Sequence, residues 1–156
     1  LPDHGKRCRC GWGEFGMTLS IYQLPRERVH HEWKQIVDVL STLEKQDVGE
    51  CTLDQLKVGL INGDSIALVI ADESMAAKSV IVGEWNMTPG KRVFFVTQWA
   101  GSNSMNEGLS EDLYRWIYAN GGTHIQGAVR DSVGRMMTKL WQWEKVYSIY
   151  EKEIKL

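Results

Sequence analysis

The stretch AGSNSMNEGLSEDL, residues 100–113, joins a strand-like run to an amphipathic helical pattern and carries glycine at Gly101 and Gly108. A glycine-containing loop that opens a helix is a seat for an anion. The first backbone N–H groups of the helix have no partner within it, and the helix dipole adds positive potential there. The chemistry on offer is phosphate binding, as a nucleotide-containing cofactor requires. The side chains pull the other way: the stretch has no Arg or Lys, and Glu107, Glu111 and Asp112 place negative charge at the start of the helix. Acidic groups complement the dipole at that end and compete with a phosphate for the same place. Ser104 or Asn106 can cap the helix instead. The loop has the position of a phosphate seat and the composition of a self-satisfied cap.

Other groups with reactive chemistry are scattered. His4, Cys8 and Cys10 could supply three zinc ligands, but Cys-x-Cys is tighter than the usual ligand pair and no second pair follows. Cys51 lies far along the chain, so reduced thiols and no metal are expected. His30 and His31 are neighbours on a helical pattern, where adjacent side chains diverge by about 100°, which reads as solvated surface. Arg130 and Arg135 could bind phosphate or pair with Asp131, and pairing is the expected use. The chain of 156 residues has a formal charge of -2 at pH 7, which gives no overall electrostatic reason to bind nucleic acid. Its 43% hydrophobic and 24% charged content is that of a folded globular domain and excludes disordered and collagen-like classes. No apolar run approaches the ~20 residues of a membrane span, and the opening has no secretory pattern. A cytosol, or a particle assembled in one, is the expected location.

The elements that must position these groups follow from periodicity. Residues 17–24, MTLSIYQL, alternate as a first strand that Pro25 stops. Residues 1–16 then read as an extension preceding a single domain over 17–156. In residues 27–45 the apolar positions Val29, Trp33, Ile36, Val37, Leu40 and Leu43 recur at helical spacing. Thr52 is an N-cap candidate for a second helix through Leu53, Leu56 and Leu60, and Asn62-Gly63 is its stop signal. Three β-rich runs follow, SIALVIADE, AKSVIVGEWNMTP and KRVFFVTQWAG, which read as an antiparallel meander. Leu109, Leu113, Trp116 and Ile117 then mark a helix that ends at ANGG, where Gly121 or Gly122 can take the left-handed position. THIQGAVR predicts a strand, SVGRMMTKLW a helix and EKVYSIYEKEI a final strand. The order β-α-α-β-β-β-α-β-α-β predicts an α+β fold: one mixed, mostly antiparallel sheet of about six strands, a parallel pair after the Gly101 loop, and helices on both faces.

That order, with the strand-loop-helix around Gly101, resembles the GNAT N-acyltransferase superfamily. More narrowly, HHEWKQIVDVL, TLDQLKVGLINGDSIALVIAD, MTPGKRVFFVTQWAG, LYRWIYANGGTHIQGAVR and WEKVYSIYEKEI are similar to small GNAT-like proteins encoded beside head and portal genes of tailed bacteriophages. The resemblance implies that acyl-coenzyme A lies where the fourth strand splays from the fifth, with its pyrophosphate wrapped by the loop. Backbone N–H groups of Trp99, Ala100, Gly101 and Ser102, with the helix start at Gly108, would then hold the cofactor, and Glu84 would act through water as base. Against the family's Arg/Gln-x-x-Gly-x-Gly/Ala loop, this sequence keeps only Gly101 and Gly108. Against the second motif it has Asp131 for Asn, Gly134 for Ala and Gln142-Trp143 for Gly-Phe. Thr138 takes the place of the Tyr that often protonates the leaving thiolate, and a hydroxyl of that kind is a much weaker acid than a phenol.

Three functions remain in view from the sequence. The leading one is a phage virion or morphogenesis component with a degenerate acyl-CoA site and no bound cofactor, docked to other phage structural proteins or to its own copies, in the virion or the host cytoplasm. The second is an active acetyl-CoA-dependent N-acetyltransferase. The third is a module that binds a host protein. Among seven Trp in so small a domain, Trp99, Trp116, Trp141 and Trp143 are candidates for core or interface, because Trp buries a large area and is enriched where proteins meet.

Overall fold

A computed structural model of the chain describes residues 18–44, 52–101 and 107–155. The expectations for residues 1–16, Cys51, Ser102, Ser104 and Asn106 lie outside the described residues. Five strands form one sheet in the order β1-β2-β3-β4-β5: β1 Ser20–Gln23, β2 Ile66–Ala71, β3 Ala77–Thr88, β4 Lys91–Gly101 and β5 His124–Gly127. The first four pair antiparallel, and β4 and β5 pair parallel. The helices are α1 Val29–Glu44, α2 Leu53–Asn62, α3 Glu107–Ala119 and α4 Asp131–Trp141.

Alternation along β2 explains the layering. Ala67, Val69 and Ala71 point to one face and join Val80, Val82 and Ala100 in a core closed by Val29, Ile36 and Leu40 of α1 and Leu56 and Leu60 of α2. Leu68 and Ile70 point to the other face, where Ile81 and Phe94 meet Leu109, Leu113 and Ile117 of α3. A strand buried on both sides needs a continuous apolar run, which is why IALVIA does not alternate with polar residues. The ends of the elements are set by local chemistry. Thr52 and Gln55 form a reciprocal capping box at the start of α2, and Gly63 closes it with φ +84°. Gly121, at φ +78°, follows α3 in the same role. Arg92 then ties that end to the β3–β4 hairpin, donating to the Asn120 carbonyl at 3.2 Å and lying 4.2 Å over the Trp85 ring.

The predicted final strand does not form. From Trp143 to Lys155 the chain has no regular structure, so the sheet has five strands where about six were expected. The reason is physical: a strand-like pattern becomes a strand only where an edge receives its N–H and C=O groups, and no described strand pairs with this segment.

Candidate functional site

The parallel pair creates the site. Its ladder runs from Val93–His124 to Val96–Gly127 and stops there. β4 continues to Gly101, still paired on its other side with β3 through Gln98–Val82, Trp99–Ile81, Ala100–Val80 and Gly101–Ser79. Beyond Val96, the side of β4 that faces β5 is therefore out of the sheet ladder, which leaves a gap in the pairing there. A bulge sits at its mouth. The register passes from Val82–Gln98 to Gly83–Val96, which takes Thr97 out of the pairing, and the Thr97 hydroxyl donates to the Val82 carbonyl at 3.2 Å. Bulges re-aim backbone groups beside a strand, a common way to present them to a ligand.

Gly101 ends β4 at φ +129°. A Cβ there would collide with the Lys78 carbonyl and with Ser79. The Ser79 hydroxyl, fully buried, donates to the Ala100 carbonyl at 2.6 Å. Trp99 is half-buried against the α3-side core, and Ala100 is buried in the α1/α2-side core. The structure thus brings Trp99, Ala100 and Gly101 together at the gap, with Gly108 exposed in the first turn of α3. Two of the expected acids, Glu111 and Asp112 in the next turn, have a partner: Arg115 lies 3.5 Å from Glu111 and 3.7 Å from Asp112, in solvent-exposed pairs.

Glu84 sits elsewhere on the sheet. It is a half-buried residue of β3 opposite Phe95, which in turn lies opposite Gln126 of β5. At the usual strand spacing, Glu84 is roughly 10 Å from β5 across the sheet. Its Oε1 accepts from the Ser65 hydroxyl at 3.3 Å. Thr138 is exposed on α4. The four Trp are each half-buried. Trp116 stacks on Trp85 at 5.9 Å and meets Phe94 edge-on at 5.3 Å. Trp141 packs on the same core, and Trp143 donates through Nε1 to the Tyr114 hydroxyl at 3.2 Å. Sequence reasoning missed Thr97 and Ser79. The trace of the bulge is the pair Thr97-Gln98 between Val96 and Trp99, two polar residues where strict alternation allows one.

The groups present fit one part of acyl-coenzyme A better than the other. The pantetheine arm is an amide chain, and a strand edge released from its ladder offers it N–H and C=O partners. At the diphosphate end, α3 carries Glu111 and Asp112 in its second turn, and Arg115 is engaged with both. Among the described residues, no group of three or more His, Cys, Asp or Glu could hold a metal ion, and no helix is long and apolar enough to cross a membrane.

No protein-family model and no curated protein matches the sequence. Solved structures do match the fold. An aminoglycoside acetyltransferase from an uncultured soil metagenomic sample aligns at TM-score 0.63 and 10% identity over 88% of this chain and 97% of its own. A ribosomal-protein-alanine N-acetyltransferase from Brucella melitensis biovar Abortus 2308 aligns at TM-score 0.63 and 12% identity over 88% and 100%. A possible acetyltransferase from Clostridium difficile 630 gives TM-score 0.59 at 12% identity over 88% and 99%. The chain has the GNAT fold.

Proposed function

We propose that this chain is a bacteriophage morphogenesis or virion component that uses the GNAT fold as a docking scaffold around a degenerate acyl-CoA site. The observation that carries this reading is the chemistry of the gap. The position that the resemblance assigns to a proton-donating Tyr holds Thr138, exposed on α4, and the helix that should receive the diphosphate carries Glu111 and Asp112 in its second turn, engaged by Arg115. The phage setting rests on the sequence resemblance to small proteins encoded beside head and portal genes. Its partners are then other structural proteins of the particle, in the virion or the host cytoplasm.

A second reading, an active acetyl-CoA-dependent N-acetyltransferase, is favoured by the ladder that ends at Val96–Gly127 and by the Thr97 bulge. Backbone groups of Trp99, Ala100, Gly101 and Ser102 would position the thioester, and Glu84 would take the amine proton through water. One titration separates the two. Calorimetry of the purified chain with acetyl-coenzyme A at low salt should give no binding at millimolar ligand if the site is degenerate. Micromolar binding would overturn the scaffold reading, and Glu84→Gln would then be assayed for loss of turnover with retained affinity. Recovery of the chain with purified particles tests the virion assignment separately.

A further inference from the structure

We propose that the cleft between the end of β1 and the α2–β2 turn is a binding site for a free α-amino acid with a short branched apolar side chain. The cleft has a volume of about 160 Å³ and lies on the α1/α2 side of the sheet. β3 and β4 stand between it and the β4–β5 gap, so the two places are separated by on the order of 10 Å or more. Its floor is apolar, made by the buried Leu24, Val29, Leu60 and Ala67. Arg26 and Ser65 bring polar groups to its wall.

Arg26 is held in place without an acid. Its Nε donates to the Ile61 carbonyl at 3.0 Å, near the end of α2. Its guanidinium lies against the backbone of Gly63, where a Cβ would come 3.0 Å from the Arg26 Cζ. Among the described residues no carboxylate pairs with Arg26, so the two terminal nitrogens are left for an incoming group. A guanidinium fixed through Nε still offers a planar fork that matches a carboxylate, and fixing it beforehand lowers the entropy lost on binding. Ser65 supplies the opposite preference. Its hydroxyl donates to Glu84 Oε1 at 3.3 Å, which leaves the Ser65 oxygen as an acceptor beside a carboxylate. That pair suits an ammonium group and disfavours a bare anion. A carboxylate alone would meet the Glu84 charge uncompensated, and an amine alone would leave Arg26 unused. An α-amino acid carries both charges on one carbon, with its side chain free to turn to the apolar floor. The size agrees, since a cavity of about 150 Å³ holds a benzene-sized molecule. Valine or leucine is of that order, whereas a nucleotide is far larger.

This goes beyond the docking reading and does not depend on whether acetyl-coenzyme A binds at the gap. The test is NMR titration of the whole isotope-labelled chain with leucine, with 4-methylvalerate, which lacks the amine, and with leucinamide, which lacks the carboxylate. Leucine should bind saturably with Kd on the order of 1 mM. It should shift the amides of Leu24, Leu60, Ser65 and Ala67 and leave those of Trp99, Ala100 and Gly101 in place. Each analogue should bind at least about 10-fold more weakly, because it leaves one charged partner unmatched. Either analogue binding as tightly as leucine would overturn the two-charge recognition. Shifts centred on Trp99 to Gly101, or no saturable shift at about 20 mM leucine, would overturn the site. Arg26→Lys keeps the charge and loses the fork, and should weaken leucine about 10-fold. Because Arg26 also holds the end of α2, Ser65→Ala serves as a second variant that leaves that contact intact: it should weaken leucine and spare 4-methylvalerate. Unchanged leucine affinity in Ser65→Ala would refute the assignment of the ammonium.

Discussion

Gly101 carries two constraints at once: its φ is +129°, and a Cβ would strike the Lys78 carbonyl and Ser79 on the neighbouring strand. In the sequence this glycine reads as room for a phosphate, whereas the structure gives it a second reason, the close pairing of the last residue of β4 with β3. Gly101→Ala is therefore expected to destabilise the fold by about 2–4 kcal/mol, from backbone strain and overpacking together. Urea unfolding measures this, and a change within about 0.5 kcal/mol would mean that β4 does not end as described. Asp72 shows a charge-based constraint at the same scale. The Ser74 hydroxyl, donating to its Oδ1 at 2.6 Å, is the largest influence holding its carboxyl below the usual carboxylate range, and the Ala76 and Ser74 amides and Lys78 add to it. A depressed carboxyl pKa favours the folded state above the unfolded-state value, and that contribution is lost as pH falls through the folded-state value. Ser74→Ala should move the Asp72 titration upward toward the ordinary range, as followed by NMR. An unmoved midpoint would leave the backbone amides as the dominant cause.

At the scale of elements, α2 is held at its start by local chemistry. Thr52 accepts from the Gln55 amide at 3.2 Å while the Gln55 side chain accepts from the Thr52 amide at 2.9 Å, so two of the donors left over at the start of α2 are satisfied reciprocally. Thr52→Ala should lower stability by about 1 kcal/mol, and Thr52→Ser should restore most of it. A neutral Ala variant in thermal unfolding would argue that tertiary packing alone holds the helix. Such signals were legible because they span three or four residues: the Thr52 cap, the Gly63 stop and the Gly121 terminus all appear where their residues predict. The meander and the parallel pair followed from element order. The bulge at Thr97 was not legible, because one additional residue in β4 is decided by the partner strand β3. The last strand was misread for a related reason. EKVYSIYEKEI has the pattern of a strand, but pattern does not decide whether a segment docks on an edge, and no described strand pairs with this one. The site divides the same way. The residues around Gly101 fall together because they are consecutive, while the gap beside them depends on where β4 and β5 part.

Across the whole molecule, burial is uneven. β2 and β3 are paired on both sides and buried on both faces, with α1 and α2 on one and α3 on the other. Trp85, Phe94 and Trp116 extend the α3-side core toward the β3–β4 hairpin. Past β5 that density falls away: α4 buries Met137 and half-buries Trp141, while Val133, Met136 and Leu140 stay exposed. Opening a region costs free energy in proportion to the apolar contact it surrenders, so local stability should grade along the chain. In dilute protein, the amides of Leu68, Val69, Val80 and Ile81 should exchange with solvent only through global unfolding. Those from Val133 to Leu140 should exchange at least about 100-fold faster, through detachment of α4 with the sheet intact. Hydrogen exchange read by mass spectrometry, with urea added to raise global opening, separates the two regimes: the sheet amides should track the urea dependence of unfolding, and the α4 amides should be nearly insensitive to it. Equal protection and equal urea dependence in both regions would show that α4 is an integral part of the core. The graded result would place the boundary of the stable unit at β5, with the remainder of the chain dependent on whatever covers that strand's open edge.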